Sequence, residues 1–151
     1  MFSSPLPKPA HYETFRQRVR RATSLRGYFL TESDRRGIQD LLDNHGTRFA
    51  PNPPMLRGFL RHKLRISSHV SEPSPSNLAT SGREVTYMIS GEGARSGILS
   101  MAPLPQPGSI LVASLLGATL IGMRVLQKVP LLRDDGQIDT VVILDVRSPR
   151  S

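Results

Sequence analysis

The sequence predicts an α+β fold: a short N-terminal antiparallel helical hairpin, then a mainly antiparallel sheet with one short helix across it. Three observations predict it. Apolar residues recur at helical spacing in two runs between Thr31 and Leu64, with prolines between them. From Arg83 onward, apolar and β-branched residues alternate in short blocks bounded by Gly, Pro and Asp-Gly. Between two such blocks, Ser114 to Gly122 carries the start and stop chemistry of a helix of about two turns.

Pro5, Pro7 and Pro9 predict an extended start. Tyr12, Phe15, Val19 and Ala22 then follow helical spacing, with Arg16, Arg18, Arg20 and Arg21 around them. This pattern fits a basic amphipathic helix ending near Gly27, and equally a segment that folds only against a partner. Thr31-Glu32-Ser33-Asp34 predicts a capped helix start, with Ile38, Leu41 and Leu42 on its apolar face and an end around Asn44 to Gly46. Pro51, Pro53 and Pro54 forbid its continuation, and Asn52 caps a second helix whose apolar face is Leu56, Phe59, Leu60 and Leu64. Two helices of about 14 residues project roughly 20 Å, which is a stub rather than a long arm.

Residues 70–82 are rich in proline and serine and predict a linker at a domain boundary. The expected division is a basic extension (1–27), the hairpin (28–69), the linker, a C-terminal domain (83–147) and a tail (148–151). In that domain Val85, Tyr87 and Ile89 alternate with polar residues, and Arg95 to Met101 returns as a second strand. A strand over Ser109–Ala113 leads into the Ser114-capped helix. Strands Lys128–Leu132 and Ile138–Val146 pair across Asp134-Asp135-Gly136-Gln137. The last is expected to be central and covered on both faces, with Ile138, Thr140, Val142, Leu144 and Val146 on one side.

Composition narrows the function. The absence of cysteine excludes disulfides, thiolate zinc sites and cysteine nucleophiles, and fits a cytoplasmic setting. No apolar core follows Met1, so no secretory signal is expected. The longest uncharged apolar run, Ile110 to Met123, is too short to span a membrane. The net charge of +8 lies entirely in the N-terminal half, with +5 in residues 1–27 and +3 in 28–69. That asymmetry fits attraction to nucleic acid or an acidic protein surface, and also a solvated basic tail without a partner.

Residues 114–126 read S-L-L-G-A-T-L-I-G-M-R-V-L. With an apolar strand before it and a strand hairpin after it, this block resembles the C-terminal domain of the GreA/GreB transcription factors. It is closer still to the subfamily of Rnk, the regulator of nucleoside diphosphate kinase, where the block commonly reads S-P-L-G-x-A-L-L-G-L-R-x-G. Ser114, Leu116, Gly117, Leu120, Gly122 and Arg124 carry the match. Leu115 stands where the family has proline, and Leu126-Gln127 where it has glycine and an acid, which alters the loop before Lys128. The resemblance implies an FKBP-like domain that docks on RNA polymerase near its secondary channel, through Ser114, Leu115, Leu116, Gly117 and Arg124. The hairpin would then point into or across that channel. In GreA and GreB, acidic residues at the tip of a long coiled coil help to hold the catalytic magnesium. Here Asp40 and Asp43 lie near the hairpin end, Arg48 stands in the adjoining loop, and the arm is short. Transcript cleavage is therefore not expected.

No enzymatic constellation emerges elsewhere. His11, His45, His62 and His69 lack metal-ligand spacing, and Ser114 has neither a G-x-S-x-G frame nor a histidine C-terminal to it. Neither glycine cluster carries the lysine of a phosphate loop. Tyr87 is the one aromatic residue from position 70 onward, too few for a prolyl isomerase pocket. The expected protein is a polymerase-binding transcription modulator without cofactor, metal, membrane association or small-molecule substrate. The alternative is a nucleic-acid-binding module driven by the basic N-terminal half, with Arg16, Arg18, Arg20 and Arg21 as contacts.

Overall fold

Thr31 turns the chain into its first helix by accepting the Asp34 N–H on its hydroxyl at 3.0 Å. In the computed structural model, which describes residues 27–148, helix α1 spans Glu32–Asp43. Its end is set by His45 at φ 58° and by the Gly46 N–H, which returns to the Leu41 carbonyl at 2.9 Å. Helix α2 spans Pro53–Ile66, with Asn52 accepting the Met55 N–H at 3.3 Å and prolines in the first turn. Arg35, early in α1, donates to the Leu64 carbonyl late in α2, while Arg57, early in α2, donates to the Leu42 carbonyl late in α1. These two links run the helices antiparallel, as expected. With 12 and 14 residues they are about 18 and 21 Å long.

The arm is clasped at its base by two strands too short for any periodic pattern to announce. β1 (Phe29–Leu30) pairs in parallel with β2 (Ser68–His69), with Phe29 opposite Ser68. The possible helix before Gly27 lies outside the described residues.

The second half contains β3 (Glu84–Ile89), β4 (Ala94–Ser100), β5 (Ser109–Leu111), helix α3 (Leu115–Leu120), β6 (Lys128–Leu132) and β7 (Ile138–Arg147). The five strands form one mixed sheet in the order β5-β4-β3-β7-β6, antiparallel except for the parallel pair β4–β5. Val85, Tyr87 and Ile89 are buried, as their alternation predicts.

β7 departs from expectation. Asp145 pairs with Thr86 but Ile143 pairs with Tyr87, so Leu144 is an extra residue and the alternation flips across it. Val141, Ile143 and, after the bulge, Val146 are buried, whereas Val142 and Leu144 are only half-buried and Ile138 is exposed. The strand is internal to the sheet but fully covered on one face only. The predicted turn before it forms, with the Arg133 N–H donating to the Gln137 carbonyl at 2.8 Å and Gly136 at φ 88°.

The segment 70–82 has the composition of a linker, yet Leu78, Ala79 and Thr80 are buried. Leu78 bridges Arg124, and the Ala79 and Gly122 backbones exchange bonds with this stretch: Ala79 N–H to the Met123 carbonyl and Gly122 N–H to the Ala79 carbonyl, both 2.8 Å. Ile38 and Leu60 of the arm share one buried apolar cluster with Val85, Leu120 and Ile143. The arm is thereby seated on the sheet half through α3.

Candidate functional site

The site grows from the junction of β5, α3 and the arm. Ser114 both donates its hydroxyl to the Leu111 carbonyl at 2.6 Å and accepts the Gly117 N–H at 3.0 Å. That pair of hydrogen bonds folds α3 back over the end of β5. At Gly117 a Cβ would sit 1.8 Å from the Leu111 carbonyl oxygen, so the crossing exists only because this residue has no side chain. At the other end, Gly122 adopts φ 86° and accepts the Phe29 N–H at 3.0 Å, joining the helix stop to the base of the arm.

Lys63 completes the junction. Its helical position, seven after Leu56 and three after Leu60, puts it on the buried face of α2, and it is 1% exposed. Its Nζ donates to the Thr119 carbonyl at 2.8 Å and lies 3.5 Å from the centroid of the Tyr28 ring. Burial pushes its pKa well below the usual lysine range, and raises that of Tyr28.

Of the five expected docking residues, Ser114, Leu116 and Arg124 are half-buried, whereas Leu115 and Gly117 are buried. Leu115 and Gly117 therefore shape the surface rather than form it. The Arg124 guanidinium lies 4.7 Å over the Phe29 ring. Beside it, Asn77, Arg124, Val125, Leu126 and Gln127 line a cleft of about 350 Å³. Leu126 takes φ 70°, the left-handed conformation a glycine would enter freely, and its side chain is 71% exposed. Gln127 is buried and accepts the Arg124 N–H on Oε1 at 2.9 Å, closing the loop on itself. Sequence reasoning had singled out this pair only as a departure from a motif.

Asp40 and Asp43 are exposed on the last turns of α1. Asp43 accepts from Gln39 Nε2 at 3.0 Å and shares a groove of about 390 Å³ with Arg57, Arg61 and Arg65. Those arginines stand four apart along α2. Among the described residues no three His, Cys, Asp or Glu side chains gather as a metal site. Arg16, Arg18, Arg20 and Arg21 lie outside the described residues. No helix among those described is long and apolar enough to cross a membrane.

A second buried ionisable group was not anticipated. Asp34, 3% exposed, accepts the Ser81 N–H on Oδ2 at 3.3 Å. Burial pushes its pKa up to about 6, with Glu72 adding to the rise and Ser81 and Arg83 opposing it. Because the folded value exceeds the unfolded one, its stabilising contribution is complete below about pH 4 and is lost as pH rises through 6. Asp34→Asn is accordingly expected to gain roughly 2–3 kcal/mol at pH 7 and to lose the pH dependence between 4 and 6, as measured by urea unfolding.

No protein-family model matches the sequence, and no curated protein does. Solved structures do match. A prokaryotic transcription elongation factor GreA/GreB from Nitrosomonas europaea superposes with a TM-score of 0.55 at 17% identity, over 80% of this chain and 97% of that one. A GreA factor homolog 1 protein of Thermus thermophilus covers 80% and 99% of the two chains at 17% identity, with a TM-score of 0.38. The short helical arm and mixed sheet of this chain thus share the α+β architecture of a GreA/GreB-type factor.

Proposed function

We propose that this chain is a non-enzymatic, RNA polymerase-binding transcription modulator of the Rnk type, a nucleoside diphosphate kinase regulator that does not stimulate transcript cleavage. The observation that carries the reading is a fold similar to a GreA/GreB factor, with an arm of only 12 and 14 helical residues. The sheet with α3 is read as an FKBP-like docking domain, and the arm as a block at the channel mouth that competes with longer-armed factors. Magnesium is a hard cation that needs several oxygen ligands. Asp40 and Asp43 offer only two carboxylates, about 12 and 17 Å along α1 from its start, and Asp43 already shares its groove with three arginines. The reading includes neither a membrane nor a small-molecule substrate.

Retention of the full chain on core RNA polymerase at low salt, with transcript cleavage unchanged from background and a reduced response to an added cleavage factor, is the expected result. Failure of retention sinks the docking reading, and stimulated cleavage sinks the reading of the arm.

The row Arg57, Arg61 and Arg65 supports a second reading, binding of nucleic acid by the basic N-terminal half. It predicts filter binding of DNA or RNA that falls steeply between two salt concentrations, because phosphate contacts release counterions.

A further inference from the structure

The loop between α3 and β6 holds an apolar side chain that the fold itself does not use. Leu126 is the most exposed of the large apolar residues described, at 71%. It also adopts φ 70°, a region that residues with a side chain rarely enter. The other such residue, His45, ends α1 beside Gly46 and is explained by the helix stop. At Leu126 the loop needs only the backbone: its N–H donates to the Ile143 carbonyl at 2.7 Å, which glycine would also do. Its exposure means that the fold gains nothing from the side chain, and its conformation works against the stability of the free chain.

The loop is rigid. Val125 N–H donates to the Asn77 carbonyl at 3.0 Å, Gln127 N–H to the Arg124 carbonyl at 3.0 Å, and buried Gln127 accepts the Arg124 N–H. The backbone at Leu126 is therefore held in one conformation, which lowers the cost of ordering the loop when the side chain is covered. It borders the cleft lined by Asn77 and Arg124, with exposed Lys128 two residues on.

We propose that Leu126 is a preorganised anchor that inserts into an apolar socket on a protein partner whose rim is acidic. A protein fits better than nucleic acid, since leucine has neither a donor for phosphate nor a flat face to stack on a base. The acidic rim is set by charge complementarity with Arg124 and Lys128, which flank the anchor. This rests on the polymerase-docking reading above and names a contact within it, continuous with Arg124.

The test measures affinity of the full chain for core RNA polymerase, beside Leu126→Gly and Leu126→Asn, both of which suit a left-handed backbone. The expected result is a loss of at least about tenfold in affinity for both variants. Their Tm should stay level or rise by roughly 2–4 °C. Binding within twofold of the parent chain overturns the anchor and leaves the docking reading standing. No binding by the parent chain overturns both. A fall in Tm that parallels the loss of affinity in both variants makes the side chain structural and overturns the anchor. Self-association of the parent chain that both variants abolish assigns the loop to a second copy, and likewise overturns it.

Discussion

Gly117→Ala is expected to be the most damaging single-methyl change in the chain, costing at least about 3 kcal/mol, or roughly 10 °C in Tm, and leaving little folded protein. A Cβ there would meet the Leu111 carbonyl oxygen at 1.8 Å and its carbon at 2.5 Å. Both are backbone atoms, so no side-chain rotation relieves the clash. Moving α3 away breaks the Ser114 bonds to Leu111 and Gly117 and withdraws Thr119 from Lys63. Gly58→Ala is the matched control. It lies within α2 with nothing inside 4 Å of the added methyl, and should gain about 0.5–1 kcal/mol from helix propensity. Thermal unfolding of the two variants checks the contrast; a Gly117→Ala chain as stable as the parent would mean that α3 does not cross β5 as closely as described.

Lys63→Met should remove a pH dependence of stability that the buried amine creates. The folded pKa of Lys63 is depressed, so over the range between that value and about 10.5 the unfolded chain binds a proton that the folded chain does not. Stability therefore rises with pH in that window, by up to about 1.4 kcal/mol per unit. Methionine has similar length and no ionisable group. The variant should lose this slope and be at least as stable as the parent chain at pH 7, because the desolvation of the amine no longer opposes folding. The partial offset is the Thr119 carbonyl, which loses its donor, and the Tyr28 ring, which loses its amine. Denaturant unfolding at pH 7 and pH 9 measures both effects. A less stable variant at pH 7 would show that the hydrogen bond and ring contact outweigh the desolvation of the amine.

Much of the local structure was legible because its chemistry acts within one turn of chain. Thr31, Asn52 and Ser114 cap the three helices as their positions predict, and each bond spans three residues. The turn at Gly136 and the alternation of Val85, Tyr87 and Ile89 are equally local signals. The motif at Ser114 to Gly122 was also legible, but its meaning changed. Leu115 and Gly117 look like candidate contacts in sequence and are buried supports in the fold.

What the sequence determined by itself is therefore the kind, order and ends of most elements, together with the shortness of the arm and the concentration of positive charge in the N-terminal half. Tertiary structure alone decided the rest. The burial of Lys63 followed only from α2 packing over α3, since periodicity marks a face but not what meets it. Residues 77–79 read as linker until Met123 and Gly122 supply their hydrogen-bond partners. The facing of Val146 depended on a bulge at Leu144, which is defined only against Thr86 and Tyr87 of the neighbouring strand. The Leu126 N–H found its acceptor on Ile143, 17 residues away. In each case the deciding contact joins residues far apart in the chain, where no local pattern records it.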